Sequence, residues 1–362
     1  MKIAYFINTF KSTNWGGQAT SNGIKYLLSK EYPNAKFTPL DLPDLPFKKM
    51  KILRYYYDKT LLNALLKDDK EKIIKTLKKM NISENIFDNF THVCFNGEGA
   101  VHYKSGHLIR FMGLLYLAKL KNKCVASVNQ TIDLNNNKKL ETLISKIYNK
   151  CNFVSVREPI SFNLAKKIGI KDCKLVPDAV YGLPKIENKE IIQVVSKHNL
   201  PKKYITITGS SALKRDKTSI NQMSELLKST NQIFENTPIV FMVNAKTDLY
   251  IAKKLKSKFN LQIIDSQKIG YQEAIAIFAK SILLVGGRQH PNIFAYIYKV
   301  PYIAFDGNTF KNEGVGKLQN YPISPLNWKL NLDAYKIAID KVFKLKVNFN
   351  QIQINNFNIF KE

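Results

Sequence analysis

The chain has 362 residues, 45% hydrophobic and 11% aromatic, with 16 Gly and 13 Pro. That excludes a disordered, collagen-like or low-complexity chain, and it is enough to bury two cores without disulfide staples. The formal charge of +28 is built almost wholly from Lys: of 56 cations, five are Arg (Arg54, Arg110, Arg157, Arg215, Arg288) and 51 are Lys.

Lys used this freely beside Asn, Ile, Phe and Tyr is the residue set of an AT-rich coding sequence, so much of the charge reads as solvated surface. Against that background an Arg reads as placed for its planar fork. The Lys residues are spread along the chain and no helix-turn-helix, RRM-like or zinc pattern appears, which argues against a specific nucleic-acid partner. The five His form no metal-ligand cluster, so no metal is expected. Cys94, Cys124, Cys151 and Cys173 make no C-x-x-C pair and suit a reducing compartment. The first residues lack a signal-peptide apolar region, and the richest apolar run, 111–120, is too short to span a bilayer. A cytoplasmic protein is expected, with membrane contact limited to peripheral association at the inner face.

In chain order, short apolar runs predict strands at 3–7, 37–42, 92–95, 124–128, 153–156 and 173–176, with helices near 18–31, 68–79, 107–121, 138–149 and 159–168. The run KKMKILRYYYDK at 48–59 mixes cations with aromatics and reads either as a solvated helix face or as a contact for an acceptor lipid or glycan. Residues 183–202 carry two prolines and many charges and mark a boundary. The pattern then restarts, with strands at 204–208, 238–243, 261–265, 282–285 and 302–305 and helices near 218–234, 246–257, 271–280, 291–299 and 331–344. Such alternation predicts an α/β protein: two Rossmann-like parallel-sheet lobes, 1–187 and 188–345, facing a central cleft, followed by a tail at 346–362 with no assigned function. The tail's loose alternation fits an added strand or a weakly ordered segment.

Ligands of such sheets bind beyond the carboxyl ends of strands, which directs attention to four loops. After the first strand, Asn14-Trp15-Gly16-Gly17-Gln18 permits close backbone approach and leads into a helix N-terminus, or is a plain tight turn. After the third, Gly97-Glu98-Gly99 precedes His102. If a helix begins there, Glu98 and His102 share one side as an acid/base pair; otherwise Glu98 is a helix-terminal charge and His102 packs. After the fifth stand Arg157 and Glu158, where an ion pair of Arg157 with Glu158 or Asp178 competes with ligand binding. In the second half a buried strand ends in Gly286-Gly287-Arg288-Gln289-His290, where backbone N–H groups, guanidinium and imidazole can converge on one phosphate or carboxylate.

With these loops the chain resembles the polysaccharide pyruvyl transferase family over residues 14–310. The resemblance rests on Asn14-x-Gly16, on Gly97 to Gly99, on Val156-Arg157-Glu158 with Ser161 and Val176-Pro177-Asp178, and on Arg288-x-His290 before Ile293-Phe294-Ala295. It implies two GT-B-like lobes, with acceptor binding on the first and donor binding on the second. It also implies transfer of a pyruvyl group from phosphoenolpyruvate to a sugar diol in bacterial surface-polysaccharide biosynthesis, giving a pyruvate ketal and phosphate. Phosphoenolpyruvate is then a co-substrate, no cofactor is needed, and the acceptor is a glycan or lipid-linked sugar. Arg157, Arg288 and His290, with Gly286 and Gly287, would bind the donor, and Glu98 or His102 would supply the proton beside the catalytic Arg288 and His290. Asn14, Gly16, Gly17, Gly97 and Gly99 would form acceptor-side loops, and Glu158 and Asp178 would support them. The chain departs from the family pattern in Asn-Trp-Gly-Gly-Gln, in Glu98 and in Gln289. These departures leave a second donor open, a nucleotide-sugar used by a GT-B-type glycosyltransferase in capsule or lipooligosaccharide assembly.

Overall fold

The structure, a computed structural model, describes residues 1–42, 44–46, 50–344, 347, 349–354 and 357–360. The first sheet holds β1 (Lys2–Phe6), β2 (Lys36–Pro39), β3 (His92–Asn96), β4 (Cys124–Gln130), β5 (Phe153–Val156) and β6 (Cys173–Leu175). They are parallel, in the order β2-β1-β3-β4-β5-β6. Around them run α1 (Trp15–Glu31), α2 (Lys51–Lys67), α3 (Lys70–Lys79), α4 (Leu108–Leu120), α5 (Lys138–Tyr148) and α6 (Pro159–Lys167). The second sheet holds β7 (Ile205–Ser210), β8 (Ile239–Val243), β9 (Gln262–Asp265), β10 (Leu283–Gly287) and β11 (Tyr302–Ala304), parallel in the order β11-β10-β7-β8-β9. Its helices are α7 (Asn188–Lys197), α8 (Lys217–Ile233), α9 (Lys246–Phe259), α10 (Tyr271–Lys280), α11 (Gln289–Ile297), α12 (Lys311–Leu318) and α13 (Leu332–Lys344).

Two compact units result: Met1–Asn8 with Ile24–Ala179 and Ile354–Glu362, and Thr9–Gly23 with Val180–Gln353. The division falls inside α1, so the loop after β1 is counted with the second unit. In each sheet the strand order reverses once, between β1 and β3 and between β7 and β10. Those reversals open the crevices in which doubly wound sheets take ligands, and three of the four loops singled out above follow one of these strands. The loop carrying Arg157 follows β5, outside both reversals.

The first core joins Val93 and Phe95 of β3 to Met112, Leu114 and Leu115 of α4. Nearly every residue of α4 from Leu108 to Ala118 is buried, which accounts for the long apolar run there. Among the described residues no helix is long and apolar enough to cross a membrane. The second unit has one core under β7, β8 and β10 and another in which Trp15 packs with Phe278 and Phe294. The four cysteines are free. Burial pushes the thiol of Cys173 up to about 11 and that of Cys151 up to about 12, so neither is a ready thiolate.

Helices α2, α7 and α12 stand outside the expected set, and other elements differ in their bounds or form. Helix α1 begins at Trp15, ahead of the expected 18, because Asn14 caps it: its Oδ1 accepts from the Gly17 N–H at 3.2 Å. Helix α11 begins at Gln289, which puts His290 in its first turn. The described tail residues form no strand, although Phe360 of that tail lies edge-on to His92.

Candidate active site

The second unit brings the first glycine loop and the Arg-x-His segment together. The Trp15 N–H donates to Oδ1 of Asn244, just beyond β8, at 2.9 Å, and the Trp15 indole N–H donates to the Ile269 carbonyl at 3.1 Å. The backbone N–H of the same Asn244 donates to Oδ2 of Asp248 at 3.1 Å. Asp248, fully buried in the first turn of α9, takes a bidentate fork from Arg288: Nε to Oδ2 at 3.0 Å and Nη2 to Oδ1 at 2.7 Å. A charge-assisted pair of this geometry fixes the guanidinium plane. Arg288 itself keeps 13% of its side chain exposed.

His290 closes the same network from the other side. Its Nε2 lies 3.1 Å from the Thr20 hydroxyl, and its ring sits over Gly16, where any Cβ would stand 2.1 Å from Nδ1. The pairing of a glycine in Asn14-x-Gly16 with a histidine in Arg288-x-His290 is therefore steric. Gly17 is held differently, its carbonyl accepting from the Thr9 hydroxyl at 2.6 Å.

Gly286 and Gly287 have a packing explanation. The ladder between β10 and β7 slips between Val285 and Gly287, and Gly286 adopts φ +152, with the Thr208 carbonyl 2.5 Å from where a Cβ would be. A Cβ on Gly287 would meet Ser210 at 2.5 Å. These glycines serve a bulge and close strand approach. Helix α11 begins directly beyond them, with His290 and Pro291 in its first turn.

In the first unit the structure corrects one expectation. No helix begins at Glu98. Residues 98–100 form turns, and α4 starts only at Leu108. The segment is instead tied across to the chain after β4: Thr131 N–H donates to the Glu98 carbonyl, Asp133 N–H to Val101 and Tyr103 N–H to Asp133, at 2.8–3.1 Å. Glu98 and His102 therefore do not share a helix face. Glu98 sits half-buried at φ +23, and His102 pairs by a backbone bridge with Asp133. Gly97 rests on Gln130, whose Oε1 would be 2.3 Å from a Cβ, while Gly99 faces open space. Gln130 is pinned in turn by the Ser127 and Tyr148 hydroxyls and by the Ser155 carbonyl.

Arg157 takes the ion-pair alternative. Its Nη1 lies 2.7 Å from Oδ2 of Asp178, both side chains are 1% exposed, and its Nε donates to the Thr131 hydroxyl at 3.1 Å. The pair is neutral as a unit and fixes the end of β4, where Asn129, at φ +61, accepts the Ala179 N–H, and Thr131 just beyond it. Glu158 caps α6, accepting from the N–H groups of Ile160 and Ser161 and from the Ser161 hydroxyl. Burial raises its carboxyl above the usual range in spite of those bonds.

Asn244 and Asp248 escaped the sequence reading. The only local signal was a polar residue at a strand end, followed four positions later by an acid in the first helical turn. Nothing along the chain announces that their partners stand at Trp15 and Arg288. Among the described residues no group of three His, Cys, Asp or Glu side chains is placed to hold a metal ion.

Two parallel α/β units, each with one strand-order reversal, define a GT-B-like fold, and solved structures share it. The UDP-GlcNAc 2-epimerase of Methanocaldococcus jannaschii, in complex with UDP-GlcNAc and UDP, aligns with a TM-score of 0.56 at 14% identity, covering 100% of this chain and 96% of that one. The S. aureus MnaA–UDP structure aligns at 0.60 with 10% identity over 97% and 90%. A UDP-glucose: anthocyanidin 3-O-glucosyltransferase in complex with UDP aligns at 0.50 with 10% identity over 96% and 92%. No curated protein sequence matches significantly. The family is nonetheless shown: the polysaccharide pyruvyl transferase profile matches residues 14–309, and the chain belongs to that family. It is a transferase, of the kind that modifies surface polysaccharides.

Proposed function

We propose that the protein transfers the pyruvyl group of phosphoenolpyruvate to two hydroxyls of a sugar, forming a cyclic ketal and releasing phosphate. The observation that carries this reading is the network joining Asn14, Gly16, Asn244, Asp248, Arg288 and His290 beside the β7/β10 reversal, inside the region matched by the family. The donor's phosphate would meet the N-terminus of α11, His290 and the exposed edge of Arg288, whose orientation Asp248 maintains.

Chemically, a proton adds to the methylene carbon and a cationic centre forms at the adjacent carbon. One sugar hydroxyl attacks that centre, the carbon–oxygen bond to phosphate breaks, and the second hydroxyl closes the ring. The two hydroxyl protons balance the one gained by the methyl group and the one leaving with phosphate. The α11 N-terminus and Arg288 would stabilise the departing phosphate electrostatically. Arg157, neutralised by Asp178 and out of contact with solvent, acts in this reading as a positioning residue for the chain after β4. Glu98 and His102 stay in the acceptor loop, each a separate candidate for the proton donor.

A nucleotide-sugar donor is the second reading, favoured by likeness to folds solved with UDP bound. A thermal-shift panel separates the two: phosphoenolpyruvate at low concentration should raise the midpoint where UDP-, GDP- and CMP-sugars do not. Phosphate release in the presence of lipid-linked or nucleotide-linked sugars should follow. A protein that neither binds nor consumes phosphoenolpyruvate rules the first reading out.

A further inference from the structure

Ten large hydrophobic side chains are exposed among the described residues, and five of them fall within seven consecutive positions: Met50, Ile52, Leu53, Tyr55 and Tyr56. Ile52 is 85% exposed and Tyr55 69%. They lie at the start of α2, whose later turns bury Leu61, Ala64 and Leu65 in the first core. Ile52, Tyr55, Tyr56 and Lys59 follow the spacing of a single helix face, so the apolar groups form one surface. A patch of this density is uncommon on a surface that meets only water. The stretch 48–59 also holds five cations, Lys48, Lys49, Lys51, Arg54 and Lys59, to one carboxylate, Asp58. Asp58 lies 3.9 Å from Arg54, which leaves the lysines in excess.

We propose that the first two turns of α2 dock on an anionic phospholipid surface, Ile52, Tyr55 and Tyr56 entering the headgroup boundary while Lys51 and Lys59 meet the lipid charge. Apolar insertion and lysine attraction together are the two signals that hold an amphipathic helix at such an interface. The position of the patch gives the docking a use. The Arg54 guanidinium donates to the Gly106 carbonyl, which ties the start of α2 to the loop that follows β3 and carries Gly97, Glu98, Gly99 and His102. Docking there would bring the acceptor loop to the membrane plane, where a sugar on a lipid carrier is found. This last step rests on the proposed acceptor; the docking itself does not.

The test is co-sedimentation of the full chain with vesicles of phosphatidylcholine mixed with phosphatidylglycerol, and with vesicles of phosphatidylcholine alone. The chain should bind the mixed vesicles and be released by high salt. Ile52→Ser, Tyr55→Ser and Tyr56→Ser combined, and separately Lys51→Glu with Lys59→Glu, should each lower partitioning about tenfold or more, with circular dichroism and thermal midpoint unchanged. Absence of binding to the mixed vesicles overturns the proposal. So does binding that the apolar variant leaves intact, or a wild-type dimer that the same variant converts to monomer with no vesicle binding in either. Because no donor or acceptor enters the assay, failure of the docking and failure of the pyruvyl-transfer reading are read separately.

Discussion

His290 can occupy its place because residue 16 has no side chain: the imidazole Nδ1 stands 2.1 Å from the point a Cβ of Gly16 would take. Alanine at that position is compatible with a helix and would by propensity favour α1, yet it must push His290 off the Thr20 hydroxyl. Gly16→Ala should cost about 1–3 kcal/mol by overpacking and lower donor affinity. Adding His290→Ala should restore stability without restoring affinity. Urea unfolding of the two variants, with a donor thermal shift on each, checks both halves, and a double variant no more stable than Gly16→Ala would contradict the contact.

Arg288 and Asp248 form the second testable pair. Truncating Arg288 strands a fully buried carboxylate, so Arg288→Ala should lose about 3–5 kcal/mol of stability in addition to any loss of activity. Activity of that variant alone is therefore a poor measure of donor contact. Arg288→Ala with Asp248→Ala should be more stable than the sum of the single effects by about 1–3 kcal/mol. Additive losses in urea titrations would mean that the fork contributes no coupling.

The glycines at 97 and 99 should behave oppositely. Gly97→Ala drives a methyl into Gln130, and with it the contacts to Tyr148 and Ser127, and should destabilise by about 1–3 kcal/mol. Gly99→Ala meets nothing within 4 Å and should stay within about 0.5 kcal/mol of wild type. If Gly99→Ala nevertheless slows turnover at unchanged thermal midpoint, the acceptor passes over that loop.

Asp58 makes stability depend on pH. Burial outweighs the attraction of Arg54 and Arg110 and holds its carboxyl up at about 6. The unfolded chain releases that proton near the ordinary carboxylate value of about 4. Stability contributed by the protonated form is thus present below about pH 4 and lost as pH rises to about 6. Asp58→Asn should flatten this decline, measurable as unfolding free energies across the interval. An unchanged slope would assign the decline to another group.

How far the sequence could be read followed the range of the interactions. Apolar runs mark buried parallel strands locally, and glycines at their ends mark turns locally, so the two sheets and the loops beyond them were legible. Asn14 also carried a local signal, a cap three residues before a paired N–H, but the glycines after it masked the helix start. Helix α12, KNEGVGKL, holds Gly314 and Gly316 and lacks propensity of its own. The fork from Arg288 spans 40 positions to Asp248, and the bond from Trp15 spans 229 to Asn244; pairings at such range leave no periodicity. The helix imagined between Glu98 and His102 failed for a related reason, since backbone bonds to residues 131–133 claim that segment and no single-stretch pattern reports them.

The interleaving of the two units has a consequence for biogenesis. Residues 9–23 belong with a unit built from the second half of the chain, and Phe357 to Phe360 return to the first, where Phe360 meets Tyr32 and His92. Neither unit is one uninterrupted stretch. During synthesis the β1–β6 sheet therefore cannot complete its contacts with Phe360 until the whole of the second unit has been made, and severing the chain near residue 180 would leave each half short of a piece carried by the other.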